Sequence, residues 1–290
     1  MKNFIITTDT TCDLPAEYIR EHEIGMLSLT YTLNETTYSW EHPLPVRDFY
    51  DYMRNGSLPT TSQANPDEAK ALFEQIIREQ DADILHISFS SGLSGSYNSS
   101  RITANELLED YPEHRIIVVD SLCASLGEGL LVHKAVCLKE QGKSLDETAA
   151  WLEENKLHLV HNFTVDDLFH LYRGGRVSKT AAFVGTMINL KPILHVDNEG
   201  HLIPLAKVRG RKKSLTALVD AMEKQVGAWR DKNDVIFISH GDCKEEAQLV
   251  ADLIKKRLGY ESFLINYVGP TIGAHTGLGV IALFYMGDFR

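Results

Sequence analysis

The chain has 290 residues and a mass of 32.6 kDa, which is enough for one large domain or two ordinary ones. Hydrophobic residues make up 43% and charged residues 24%, so collagen, disordered chains and small disulfide scaffolds are excluded. Because 29 Lys and Arg stand against 40 Asp and Glu, the net charge of -11 argues against a generic nucleic-acid binder. The first residues lack the apolar core of a signal peptide, and no apolar run approaches the roughly 18 residues of a membrane span. We therefore expect a soluble, cytoplasmic protein.

Apolar runs typical of buried strands alternate with amphipathic segments typical of helices. The predicted strands cover residues 4–8, 26–33, 83–88, 115–120, 157–164, 193–196, 235–239, 263–268 and 280–285. Helix starts are indicated by the caps at Asn65 and Ser144, each followed three residues later by a glutamate. Two further helices are predicted by apolar stripes that include Leu215 and Ala247.

The alternation predicts an α/β fold with a mostly parallel sheet flanked by helices. It is clearest up to about residue 155, whereas residues 192–207 read as a hairpin around the turn Asp197-Asn198-Glu199-Gly200. We therefore expect an N-terminal α/β domain over residues 1–160 and a C-terminal α+β domain over residues 161–290.

Two hydroxyl-rich segments stand beside predicted helix starts. One is Thr60-Thr61-Ser62-Gln63, and the other is Ser90-Ser91-Gly92-Leu93-Ser94-Gly95-Ser96, which directly follows the strand at 83–88. Glycines let the backbone approach a ligand at such a strand-to-helix corner, and free N–H and hydroxyl groups bind an anion there. An extended loop and a plain helix cap remain the alternatives. No lysine-bearing phosphate loop and no Gly-x-Ser-x-Gly elbow is present, which weighs against nucleotide binding and serine hydrolysis.

A third and a fourth segment bring glycines together with a basic side chain. Glycines surround His275 in residues 269–279, so we expect a flexible loop that presents the imidazole to a cavity or ligand. Arg173 and Arg176 flank a Gly-Gly pair, and either they aim at a cleft or they are solvated charges at a helix end. No metal-binding motif is present, and we expect the four cysteines to be free and mostly buried thiols.

Five cations fall within seven residues of this acidic chain, namely Lys207, Arg209, Arg211, Lys212 and Lys213. A helix is predicted to begin near Lys212, and cations at a helix N-terminus oppose the helix dipole. Since folding does not call for them there, we expect them to dock an acidic or phosphorylated partner. A solvated run of charges is the alternative.

Taken in order, these segments make the chain resemble the DegV family along essentially its whole length. The matching motifs are Thr7-Thr8-Asp9-Thr10-Thr11-Cys12-Asp13-Leu14-Pro15, Thr60-Thr61-Ser62-Gln63, Ser91-Gly92-Leu93-Ser94-Gly95-Ser96-Tyr97, Gly174-Gly175-Arg176, Val208-Arg209-Gly210-Arg211-Lys212-Lys213 and Gly273-Ala274-His275-Thr276-Gly277. The resemblance implies a two-domain protein that binds one long-chain fatty acid between its domains, without cofactor or metal. Many members are the non-catalytic binding subunit of the bacterial two-component fatty acid kinase, whose acyl phosphate product enters phospholipid synthesis.

Carried over residue by residue, the resemblance implies a carboxylate site formed by Thr61, Ser62, Ser94, Gly95 and His275, with Arg173 where the family often has a basic residue. It implies docking of the kinase catalytic subunit at Arg209, Arg211 and Lys212. The chain departs from the family at Leu278, where a proline is usual, and in residues 34–45, which leaves the acyl preference open. We expect a monomer that makes at most transient membrane contact and binds no nucleic acid.

Two other classes of function remain open from the residues alone. Ser94 with His275 could serve a hydrolase or an acyltransferase, although no acidic residue stands out to orient the histidine. The hydroxyl-rich corners could also belong to a phosphate- or nucleotide-sensing module.

Overall fold

The structure is a computed structural model that describes residues 3–166, 168–178 and 189–290. Its strands are β1 Phe4–Asp9, β2 Gly25–Leu27, β3 Tyr31–Leu33, β4 Thr36–Tyr38, β5 Thr60–Thr61, β6 Asp83–Ser88, β7 Ile116–Asp120, β8 Leu159–Thr164, β9 Leu190–Val196, β10 Leu202–Arg209, β11 Ile236–His240, β12 Phe263–Tyr267 and β13 Ile281–Met286. Its α-helices are α1 Ala16–Glu21, α2 Val46–Arg54, α3 Pro66–Gln80, α4 Ser96–Asp110, α5 Leu126–Glu140, α6 Leu145–Asn155, α7 Phe169–Arg173, α8 Arg211–Gln225, α9 Lys244–Leu258 and α10 Pro270–Thr276.

The first sheet is fully parallel and has the strand order β2-β1-β6-β7. Its strands are short continuous apolar runs, as expected for a sheet that is covered on both faces. Helices α3 and α4 cover one face, where Phe73 and Leu107 pack against Ile84. The predicted caps begin α3 and α6, since the Asn65 side chain accepts the Asp67 N–H at 3.0 Å and the Ser144 hydroxyl accepts the Glu147 N–H at 3.2 Å.

The second sheet is mixed and has the order β10-β9-β8-β13-β11-β12. Strands β9 and β10 form the predicted hairpin, whose turn ends at Gly200 with a φ of +79° that favours glycine. Helices α8 and α9 cover the outer face through apolar side chains that include Leu218, Val250 and Ile254. A small antiparallel sheet, β4-β3-β5, packs with α2 beside the other two.

Helix α5 lies between the two large sheets. It contacts β1 and β6 of the first sheet and β8, β11 and β13 of the second, and its residues 126–132 are all buried. On the first-sheet side, the buried Glu128 carboxylate accepts hydrogen bonds from the Thr8 and Thr11 hydroxyls at 3.0 and 2.9 Å. Burial raises the pKa of Glu128 well above its usual value. The molecule therefore has a helix, sheet, helix, sheet, helix layering with α5 at its centre.

The α/β architecture confirms the predicted fold class, but one predicted strand was wrong. Residues 26–33 form two strands in different sheets, because β2 pairs with β1 whereas β3 pairs with β4 and β5. The chain turns at residues 28–30 without disturbing the alternation of apolar residues, so the period-2 pattern could not reveal the break. The expected domain boundary after residue 160 falls within β8 and stays a prediction. Within the described ranges, no helix combines the length and apolarity needed to cross a bilayer.

Candidate functional site

A cavity lies between the two large sheets, with about 190 Å³ of space open to the centres of water-sized molecules. Apolar side chains from both sheets and their connections form most of its wall, namely Leu29, Phe89, Leu93, Phe163, Leu171, Val196, Leu202, Val268, Ile272, Val280, Ala282 and Phe284. Such a cavity suits an elongated apolar ligand.

The cavity opens at the carboxyl ends of the parallel strands. The chain leaves β1 toward β2 on one side and later returns to place β6 on the other side of β1, so the order reverses between β1 and β6. Ligands of open α/β sheets bind at this kind of switch point. The segment after β6 contributes Phe89, Leu93, Ser94 and Gly95 to the wall, as the sequence predicted for this corner.

His275 lies at the polar end of the cavity and faces Thr61. The Thr61 Oγ1 and His275 Nε2 atoms are 2.8 Å apart, which joins β5 to α10 across 214 residues of sequence. The expectation of a flexible loop around His275 was wrong, because residues 270–276 form a short helix that begins at Pro270, where a proline is well suited to the first turn. The imidazole is therefore held on a rigid element.

The C-terminal end of α7 lies against the same imidazole. A Cβ placed on Gly174 would lie 2.0 Å from His275 Nδ1, so no side chain larger than hydrogen fits there. Burial, together with the neighbouring Arg176, Arg173 and His170, lowers the pKa of His275 to about 4. At neutral pH the residue is a neutral imidazole that offers one N–H donor and one acceptor.

The two arginines beside the Gly-Gly pair have different surroundings. Arg173 donates from Nη2 to the carbonyls of Pro59 and Ala274 at 2.8 and 3.0 Å, which braces α7 against α10, and it is not among the cavity-lining residues. Arg176 does line the cavity, and it donates to the carbonyls of Leu93 and Gly174. Its bonds therefore go to neutral groups, and no carboxylate of the described residues pairs with it. The sequence contained Arg176 within a matching motif, but only the end of α7 decides which arginine faces the cavity.

The hydroxyl-rich segments meet at the same place. Ser62, Ser94 and Gly95 all line the cavity, and the Ser94 hydroxyl is 2.9 Å from that of Ser96. Gln63 lies against Gly95, where a Cβ would stand 2.2 Å from the Gln63 Oε1 atom. Five of the six predicted ligand residues thus line one cavity. The sixth, Arg173, lies outside the cavity wall and donates to the carbonyl of Ala274, next to His275.

A second polar group on the wall was not predicted from the sequence. The hydroxyls of Ser125 and Ser239 are 2.9 Å apart, and Ser125 also donates to Asp13 at 2.5 Å. Burial raises the pKa of the Asp13 carboxyl to about 7. His161, which the sequence gave no reason to single out, is buried in β8 and lines the cavity beside them. Isolated serines in apolar runs carry no local signal, so only the packing of α5 against the second sheet reveals this group.

The site lacks the arrangement that a serine hydrolase needs. His275 faces Thr61 rather than Ser94, and its Nδ1 atom has no hydrogen-bond partner among the described residues. An activated serine would require the imidazole within hydrogen-bond reach and an acidic group to orient it. The geometry therefore disfavours the hydrolase and acyltransferase alternative.

The basic segment lies at the start of α8, which begins at Arg211, as predicted. Arg209, Lys212 and Lys213 are exposed. Arg211 is instead half-buried, pairs with the Glu246 carboxylate, and donates to the Gly279 carbonyl at 2.6 Å. Arg211 thus fixes the segment that follows α10, a structural role that the sequence did not suggest.

Comparison with known proteins gives matches over nearly the whole chain. The model of the family described as "Uncharacterised protein, DegV family" matches residues 3–288. A DegV domain-containing protein of Clostridium perfringens is 44% identical over 292 residues, which cover 100% of this chain and 99% of the relative. The protein DegV of Bacillus subtilis is 32% identical over 283 residues, or 97% of this chain and 98% of the relative.

Solved structures share the fold. A structure described as the fatty acid binding of a DegV family protein from Thermus thermophilus has a TM-score of 0.86 and 30% identity, covering 99% of this chain and 100% of that one. The Bacillus subtilis DegV, described as a fatty acid binding protein, has a TM-score of 0.84 and 31% identity at the same coverage.

Proposed function

The chain belongs to the DegV family, and from that premise we propose that it binds one long-chain fatty acid and presents the carboxylate to a separate kinase subunit. The observation that carries the proposal is the Arg176 guanidinium, which lines an otherwise mostly apolar cavity and has only neutral partners among the described residues. A cation in that position calls for an anion, and an apolar cavity calls for an apolar tail. A fatty acid supplies both.

The polar end of the cavity has the donors that a carboxylate needs. With the His275 Nε2–H donated to Thr61 Oγ1, the Thr61 and Ser94 hydroxyls offer their protons to the carboxylate, and Arg176 supplies the opposite charge. Hydrogen bonds to an ionised group are about twice as strong as those between neutral groups. Arg173 contributes at a distance, because its positive charge adds to the potential felt at His275.

The acyl tail gains its binding energy from burial against the two sheets. Each buried CH₂ contributes about 0.8 kcal/mol, so a C16 chain gains on the order of 10 kcal/mol before the costs of ordering and association. The cavity wall that would contact the tail includes three aromatic side chains, Phe89, Phe163 and Phe284. Both solved relatives named above are described as binding fatty acids, which supports the same ligand class for this chain.

The kinase part of the proposal rests on the basic segment and on the chemistry of the site. Among the described residues the site contains no candidate nucleophile with an orienting acid, and the sequence has no lysine-bearing phosphate loop, so a separate subunit would supply ATP and transfer the phosphoryl group. The exposed Arg209 and Lys212 would attract that subunit, with Arg211 holding the segment in place. The donors that bind the carboxylate would also stabilise the added negative charge of an acyl phosphate.

The decisive experiment is mass spectrometry of the organic extract from the purified protein. We expect close to one equivalent of long-chain fatty acid from the expression host. An extract without lipid, combined with no heat stabilisation by added C14–C18 acids, would exclude the ligand class. To test the kinase role, ATP and a fatty acid kinase catalytic subunit are added to the loaded protein, and acyl phosphate is measured. Fatty acid binding without any acyl phosphate would reject only the second part.

A further inference from the structure

A His-Cys-Asp cluster stands outside the cavity, on the opposite part of α5. His133 and Cys137 are four residues apart and so lie on one face of the helix. Asp234, two residues before β11, meets them from the side of the second sheet. The ligand atoms of the three side chains all lie within 4.8 Å of one another.

We propose that His133, Cys137 and Asp234 form a binding site for a zinc ion. The His133 Nε2 atom is 3.2 Å from Asp234 Oδ2 and 3.6 Å from Cys137 Sγ. Tetrahedral zinc holds nitrogen, oxygen and sulfur at about 2.0, 2.1 and 2.3 Å, which places such ligand atoms roughly 3.3–3.6 Å from one another. Both distances from the histidine thus match a zinc site, the Asp234 and Cys137 ligand atoms lie within 4.8 Å of each other, and water would be the fourth ligand.

The surrounding groups hold the ligands in the form that zinc requires. The Tyr18 hydroxyl lies 2.8 Å from His133 Nδ1, so Nδ1–H can donate to it and leave the Nε2 lone pair directed at Cys137 and Asp234. Zinc-ligating histidines commonly have such a partner on their other ring nitrogen. Lys134 pairs with Asp234 Oδ1, which fixes the carboxylate with Oδ2 turned to the histidine.

The coordinating side chains supply negative charge to a cation. Zinc would bind the Asp234 carboxylate and the Cys137 thiolate, and the thiol proton would pass to solvent. The Asp234 side chain is 53% exposed, which gives the ion a path to the site.

A metal at this site would join α5 to the second sheet. His133 and Cys137 belong to α5, whereas Asp234 lies two residues before β11, and the His133 ring packs 5.6 Å from that of Phe237 in β11. Zinc would therefore fix α5 against the second sheet on the far side from the ligand cavity. Sequence motifs could not reveal the site, since its third ligand is almost a hundred residues from the other two. The inference does not depend on fatty acid binding.

The test is a titration of metal-free, full-length protein with Zn²⁺, followed by substitution with Co²⁺ and absorption spectroscopy. We expect one equivalent of zinc, a rise in melting temperature, and a thiolate-to-cobalt charge-transfer band. Cys137→Ser should remove that band, Asp234→Asn should weaken zinc binding at least tenfold, and Tyr18→Phe should weaken it about 10–100-fold.

A matched control distinguishes this site from nonspecific binding of zinc to an accessible thiol. Cys243 is also a free, half-buried thiol, but it lies beside Arg211 at the other end of the second sheet. Cys243→Ser should leave the stoichiometry, the affinity and the cobalt band unchanged. No zinc binding at one equivalent, or a thiolate band that survives Cys137→Ser, would overturn the proposal. Serine and asparagine are conservative replacements for Cys137 and Asp234, so we expect both variants to fold. Circular dichroism of the metal-free variants checks this.

Discussion

His275 makes stability depend on pH in a direction that its environment fixes. Its pKa is about 4 in the folded protein, below the 6.5 or so of an exposed histidine. Above pH 6.5 both states are neutral and the group contributes no pH dependence. As pH falls from 6.5 toward 4, the unfolded chain takes up a proton that the folded protein does not, so stability is lost.

We therefore predict that His275→Gln loses less stability on acidification than the wild type does. Between pH 7 and pH 5, the unfolding free energy of the wild type should fall by about 2 kcal/mol more than that of the variant. Urea denaturation at the two pH values measures this difference. Other groups, such as His240 with a pKa of about 4, are common to both proteins and cancel. Equal losses in the two proteins would show that His275 is not a buried neutral imidazole.

Ser94 is expected to matter for the ligand and not for the fold. Its hydroxyl lines the cavity and could donate to a carboxylate, a bond to a charged group that contributes about 1.5–3 kcal/mol. Ser94→Ala should thus weaken fatty acid binding roughly 10–100-fold. Titration with a fluorescent fatty acid measures the loss. Ser91→Ala, in the same turn but exposed and outside the cavity, is the matched control and should retain affinity.

At the scale of elements, the meeting of α7 and α10 sets the position of the imidazole. Gly174 has an ordinary φ of −76°, so Gly174→Ala is acceptable to the backbone and differs only by the methyl that would strike His275. We expect lower fatty acid affinity, because the methyl must displace the imidazole from its contact with Thr61. Gly175 is the contrast, because its φ is +74° and the space around it is open. Gly175→Ala should lower stability by about 1 kcal/mol and leave affinity nearly unchanged. Reversed results would place the close contact elsewhere.

The N-terminus of α8 has exposed cations where the helix dipole favours acidic residues. Arg209→Glu and Lys212→Glu should slow acyl phosphate formation with the kinase subunit, and less so at high salt, while fatty acid affinity remains. Because Lys212→Glu also places a favourable charge in the first turn, lost coupling could not be blamed on unfolding. Lys256→Glu, an exposed lysine on α9, is the control. Unchanged turnover at low salt would remove the docking role. Arg211→Glu is unsuitable, since it would set a second carboxylate against Glu246.

Local sequence patterns predicted a strand or helix correctly where one short apolar segment corresponds to a single element. The strand at 83–88 agrees residue for residue with β6, because an apolar run of this length bounded by turn residues is too short for a typical helix. The prediction of a single strand at residues 26–33 was wrong because one alternation of apolar and polar residues continues through two separate strands. The choice between Arg173 and Arg176, the helical setting of His275 and the Ser125–Ser239 pair depend on how distant elements pack. No local pattern encodes those contacts.

At the scale of the whole molecule, a ligand between two sheets should stabilise both together. With fatty acid at a hundredfold excess over its dissociation constant, mass action adds about 2.7 kcal/mol to the unfolding free energy. That corresponds to a rise in melting temperature of roughly 4–5 °C for a chain of 290 residues. Scanning calorimetry of delipidated protein with and without a C16 acid measures it, and a C16 alcohol serves as the control for the carboxylate. Equal shifts with both ligands would show that Arg176 and its neighbours do not recognise the head group.

The central position of α5 has a consequence for how the chain is made. The helix ends at residue 140, but the second sheet that covers its other face is complete only when β13 has emerged, at residue 286. A ribosome adding about 5–20 residues per second needs roughly 7–30 s for that stretch. During this interval the leucine-rich helix rests on the first sheet with one side open to solvent. Nascent chains of this protein should therefore be clients of chaperones, and translation stalls between α5 and β13 should promote aggregation.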